Sequence, residues 1–130
     1  MRLQKITLSG TAALALLAGC HPHKTPQTTA QDVEAAKQEA QREVEQARKE
    51  ASKGIKSATK VSGSSRDVAQ AKAEGAYDIA MVKADGDHKV ATEKCLTLQA
   101  TLQQACKDQS DAEYETAKAT AKATRVARQQ

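Results

Sequence analysis

The chain has 130 residues, of which 28% are charged and 2% aromatic, with no Trp and no Phe, so it lacks the large apolar side chains that build a thick core. Its formal net charge of +4 shrinks without the first 19 residues, since Arg2 and Lys5 fall there and 18 Lys and Arg then face 16 Asp and Glu. Near-balanced charge without interleaved aromatics excludes nucleic-acid binding as a reading, and an Ala-rich body leaves thin helix-on-helix seams as its means of packing.

Arg2 and Lys5 precede a mostly apolar run from Ile6 to Ala18, the order of a secretion signal occupying residues 1–19. Broken by Ser9, Gly10 and Thr11, this run is short of the about 20 apolar residues that span a bilayer. It closes with Leu17, Ala18, Gly19 and Cys20, and these four residues resemble the lipobox of bacterial lipoproteins. The resemblance implies that Leu17, Ala18 and Gly19 guide processing, that the Cys20 thiol takes a diacylglycerol, and that cleavage leaves Cys20 as an acylated amino terminus. Acyl chains at about 0.8 kcal/mol per buried CH₂ would make a membrane the first partner of the protein. His21 stands where Asp resembles an inner-membrane retention signal, which implies an outer-membrane anchor facing the periplasm.

Residues 20–31 hold both prolines and no apolar period, the composition of an extended tether. A long helix is expected over 32–60, entered from Thr29 as N-cap. Its heptad a and d positions read Ala30, Val33, Lys37, Ala40, Val44, Ala47, Ala51, Gly54, Ala58 and Val61, a coiled-coil-like stripe. Residues 61–66, with Gly63 and three serines, read as a hinge, and Asp67 as the cap of the next helix. Residues 67–130 read as a helical hairpin. Its first helix shows Val68, Ala71, Gly75, Ile79, Val82, Gly86 and Val90 on one face, with Val68, Ile79 and Val90 spaced by 11, and continues through Gly86. Its last helix is expected from about Leu102 to Ala127, opened by Thr101 with Gln104 as a capping box.

Cys95 and Cys106 would stand about 16 Å apart along one continuous helix, too far for a disulfide. Exported proteins meet oxidising conditions, so the expected arrangement is a structural Cys95–Cys106 bridge within the chain, with a reversal near 98–101 that staples the hairpin; on a straight helix the thiols would instead pair between chains or stay free. The stretch from Ala76 to Ala119, with a helix ending in Lys94-Cys95, a short loop, Cys106 and a second Ala/Lys helix, resembles a group of Ala- and Lys-rich envelope proteins of Gram-negative bacteria, some labelled TolA-like. Gln99, Ala100 and Thr101 depart from that group, which often has Gly in the loop. The resemblance implies architecture and compartment, not an activity.

No nucleophile elbow, phosphate-cradling loop or metalloprotease helix is present in the sequence, so no catalytic residue and no cofactor is assigned. His21 and His23 offer two imidazoles where zinc needs three or four protein ligands, and His88 reads as a solvated helix side chain. Lys118, Lys122, Arg125 and Arg128 recur at helical spacing as a stripe that suits an anionic surface, or the negative end of the helix dipole. The whole reads as an all-α, lipid-anchored envelope protein, non-catalytic, acting structurally or through partners that include other envelope proteins or its own copies along Ala seams. The alternative is a binding module for an anionic envelope polymer or lipid through the C-terminal stripe.

Overall fold

A computed structural model describes residues 26–129 of the chain; the signal segment, Cys20, and His21 and His23 lie outside the described residues. Three helices follow one another: α1 (Pro26–Val61), α2 (Ser65–Cys95) and α3 (Ala100–Gln129), with no strand among the described residues. The fold is all-α, as the sequence reading holds. α2 runs unbroken through Gly86, and the chain reverses between the two body cysteines.

Helix ends differ from the expected ones by a few residues, for local reasons. α1 starts at Pro26, a residue whose fixed φ suits the first helical turn, so part of the expected tether is helical. Thr29 is therefore not a cap: it sits inside the helix and is buried. Gly63, at φ 62°, takes the left-handed position that ends α1, and the amides of Ser62 and Gly63 both donate to the Ala58 carbonyl. Ser64, not Asp67, is the N-cap of α2, its hydroxyl accepting from the Asp67 amide. Asp67 stands in the first turn, where its carboxylate accepts from the Ser62 hydroxyl. The second turn contains no glycine and no residue with positive φ. Instead Gln103 reaches back to donate to the carbonyls of Leu98 at 3.0 Å and Leu96 at 3.4 Å, so the helix opens before Thr101 rather than at it.

α2 packs against both other helices, and α1 and α3 do not approach each other. The reason lies in the spacing of its small residues. Gly75 and Gly86 meet Ala51 and Ala40 of α1, whereas Cys95 is bonded to α3, and Ala73 and Ala84 line the α2–α3 seam beside Ala117 and Ala121. Gly75 and Ala73, like Gly86 and Ala84, are two positions apart, about 200° around a helix of 3.6 residues per turn, so the seams fall on opposite faces. The result is one flat layer of three antiparallel neighbours, whose buried apolar residues are Ala36, Ala47, Ala73, Ala84, Ala121 and Cys95.

Both seams keep an 11-residue period: Ala40 to Ala51 and Ala36 to Ala47 in α1, Gly75 to Gly86 and Ala73 to Ala84 to Cys95 in α2, Ser110 to Ala121 in α3. This corrects the heptad stripe in α1, where Ala30, Lys37, Gly54 and Val61 are exposed while Thr29 and Ala36 are buried and Ile55 is half-buried. A helix drifts about 20° per heptad, so a strict a/d pattern leaves the seam over nine turns, whereas 11 residues at 3.67 per turn stay on it.

The α1–α2 seam depends on its two glycines. A Cβ at Gly75 would lie 2.7 Å from the Ala51 Cβ, and one at Gly86 would lie 2.6 Å from the Ala40 Cβ, with the alanine Cα at 3.3 Å in both cases. Gly54 has open space where a Cβ would go. Gly54→Ala should therefore stabilise the fold by about 1 kcal/mol through helix propensity alone. Gly75→Ala and Gly86→Ala should lower the urea midpoint, because overpacking of about 1–3 kcal/mol outweighs that gain. Equal midpoint shifts for all three variants would contradict the close approach.

Candidate functional site

Among the described residues, polar side chains bridge the helices on both seams. On the first seam Lys89 of α2 pairs with Glu39 of α1 at 2.5 Å. The hydrogen bond from Lys89 holds the Glu39 carboxyl below its ordinary 4.5, helped by the charges of Lys89 and Arg42, while the same bond to Glu39 raises Lys89 above its ordinary 10.5. Both side chains are solvent-exposed, so water screens the pair.

On the second seam, about midway along, His88 stacks on Tyr114 with ring centroids 4.7 Å apart and its Nε2 lies 2.7 Å from Asp111. The Tyr114 hydroxyl donates to Asp85 at 2.5 Å, which holds the phenol above its ordinary 10.0, with burial adding to the rise. Lys118 lies 4.6 Å from the centre of the Tyr114 ring and pairs with Glu115 at 2.8 Å, and that bond to Glu115 raises its ammonium above the ordinary 10.5. One helical stretch farther on, Arg125 covers the Tyr77 ring at 4.4 Å and reaches Glu74 at 3.4 Å, where Gln129 also donates at 2.7 Å. Each of the two tyrosines thus lies under a cation, Tyr77 under Arg125 across the seam and Tyr114 under Lys118 of its own helix, while Tyr114 crosses the seam through Asp85 and His88.

Within the basic stripe, Lys118 and Arg125 are held by carboxylates and ring faces of the chain itself, and Lys122 and Arg128 remain exposed. The four residues share a face of α3 but not a common free site. His88 is not the solvated side chain expected: it is a cross-helix contact, and Asp111 is its hydrogen-bond partner. Sequence reading missed Tyr77, Tyr114, Asp85 and Glu74. The two tyrosines are the only aromatics of the chain, and that scarcity is the signal that marks them.

Cys95 and Cys106 come together at disulfide distance, with Cα atoms 5.6 Å apart, and Cys95 is 1% exposed. The bridge closes the α2–α3 turn; in the loop-closure treatment a ring of this size contributes about 2–3 kcal/mol. A shallow groove of about 400 Å³ follows the α2–α3 seam, walled mainly by alanine methyls with Tyr77 and Arg125 at one side. Among the described residues no group of three or more His, Cys, Asp and Glu is placed to hold a metal ion, and no helix is long and apolar enough to cross a membrane. No family model matches the chain, and no curated protein or solved structure matches it.

The ion pair of the first seam makes the folded state pH-dependent in a defined direction. Because Glu39 is lowered, its contribution is present above its ordinary 4.5 and is lost as pH falls through the folded value. Lys89 is raised, so its contribution persists up to its ordinary 10.5 and is lost above it. The Glu39→Gln variant should thus be less stable than the parent at pH 7, with the gap closing as urea midpoints are followed down to pH 3 (about 1.5 units below the ordinary carboxylate value). A gap that stays constant over that range would contradict the pairing.

Proposed function

We propose that the chain is a lipid-anchored, non-catalytic protein of a bacterial cell envelope that acts as a helical spacer or docking partner. The observation that carries this reading is the run Leu17-Ala18-Gly19-Cys20 at the end of an apolar segment that follows Arg2 and Lys5. Cys20 takes the lipid, the first 19 residues are removed, and His21 in place of Asp directs the product to the outer membrane, facing the periplasm. The likeness to Ala/Lys-rich envelope proteins in the second half agrees with that compartment, as does a disulfide in the body, since such bridges persist in oxidising surroundings.

The body suits a spacer. Three antiparallel helices of about 45–54 Å, at 1.5 Å per residue, form a rod-like layer with a thin core. The reading as a module for an anionic polymer through the C-terminal stripe has less to stand on, because Glu74 and Glu115 already neutralise two of its four cations. Other envelope proteins, or further copies of the chain, remain the partners proposed for its open faces.

Intact mass measured without reduction on protein extracted from membranes with detergent tests this directly. The expected species is residues 20–130 plus lipid, two hydrogens lighter than the dithiol. The unprocessed chain, or a processed chain without lipid, would contradict the reading.

A further inference from the structure

Each end of the helical layer carries exposed apolar side chains, and what separates the ends is their place relative to the start of α1. At one end the α1–α2 turn is Ser62-Gly63-Ser64, set between Lys60 and Arg66, with Val61 85% exposed beside it and Val126 50% exposed near the end of α3. At the other, the α2–α3 turn presents Leu98, 41% exposed, and Leu102, 54% exposed, two of the four large apolar side chains left open on the described surface. Around them runs the longest uncharged stretch of the body: no charged residue stands between Lys94 and Lys107. The first charges outward are these two cations, and the carboxylates Glu93 and Asp108 come one position farther from the tip. The turn is also stiffly held, by the Cys95–Cys106 bridge behind it and by the Gln103 side chain across the carbonyls of Leu96 and Leu98.

The register of the layer says which end this is. α1 and α2 are antiparallel, with Ala51 against Gly75 and Ala40 against Gly86, so the start of α1 lies beside the end of α2. The leucine tip therefore shares its end of the molecule with Pro26, six residues after Cys20. Six residues span at most about 20 Å fully extended, whereas α1 is about 54 Å long. A lipid on Cys20 keeps the leucine end at the membrane surface while the Ser-Gly-Ser end can stand well away from it.

We propose that the α2–α3 tip, through Leu98 and Leu102, enters the interfacial layer of the phospholipid membrane that holds the anchor, with Lys94 and Lys107 beside the headgroup phosphates. This rests on the lipidation reading above. Apolar side chains backed by lysines are the pattern by which a surface seats at a membrane interface, and an anchor already in place removes the need for strong binding of its own. The contact would set the orientation of the rod, making the layer stand on its tip rather than swing on the tether.

The absence of Trp allows a clean test in the lipidated full-length product. Leu98→Trp and Leu102→Trp are made singly, with Val61→Trp at the opposite end as reference, and each is reconstituted in vesicles of phosphatidylethanolamine and phosphatidylglycerol carrying brominated acyl chains. Circular dichroism confirms the helical fold, and intact mass confirms the lipid. The proposal expects blue-shifted emission and loss of most fluorescence to bromine quenching for Leu98→Trp and Leu102→Trp, with neither for Val61→Trp. Lipidated protein in which both tip variants escape quenching overturns the proposal alone, as does equal quenching at both ends, which means a layer lying flat. A blue shift without quenching also overturns it, by placing the tip against protein. Protein without lipid overturns the earlier reading and this one together.

Discussion

The backbone of α1 touches the backbone of α2 nearly directly, because Gly75 and Gly86 present no side chain to Ala51 and Ala40. The register of α1 on α2 follows from that proximity. A seam of methyl groups and hydrogens gains little from burial per residue, so it must gain from number and closeness of contacts, and two helices can stay close over some 30 residues only when small residues recur in step with the helix. The 11-residue recurrence supplies that step. The two-position offset between Gly75 and Gly86 on one side and Ala73 and Ala84 on the other puts the partners of α2 on opposite faces, which is why a single layer forms instead of a closed bundle with an interior. The α2–α3 seam lacks facing glycines, and there the disulfide, the Arg125–Tyr77 contact and the Tyr114 bonds to Asp85 and His88 do the joining.

Much of this was legible in the residues and part was not. Gly63 among serines marks the first turn because only the left-handed conformation ends α1 there, and the two cysteines mark the second once a disulfide is required to close. Gly86 could pass for a helix break, yet its 11-residue distance from Gly75 already identifies it as a seam position. The register of α1 was harder. With Ala at so many positions, heptads and 11-residue repeats fit the small residues almost equally well, and only the rarer Val33, Val44 and Ile55, themselves 11 apart and half-buried, separate them. The polar contacts were not legible at all from spacing. Arg125 and Glu74 are 51 positions apart, and no local pattern announces that a cation of the C-terminal stripe finds its carboxylate on α2.

The same physics bears on function. Among the described residues the His88 imidazole, the Tyr114 phenol and the carboxylates of Asp85 and Asp111 are engaged in holding α2 against α3. What the layer offers is length, and one end that lies beside the start of α1. The proposed roles, a lipid-anchored spacer and a tip that seats on the membrane, use those properties and ask for no others.

The central claim is that α1 and α3 lie on opposite faces of α2. Distance measurement between spin labels tests it most directly, with Arg48→Cys on α1 and Lys122→Cys on α3 placed at the same level of the layer in a Cys20→Ser background with the native disulfide intact. A single layer predicts a separation near two interhelical spacings, about 16–20 Å between axes before label length is added. A separation near one spacing, about 8–10 Å between axes, would place α1 against α3 and contradict the account.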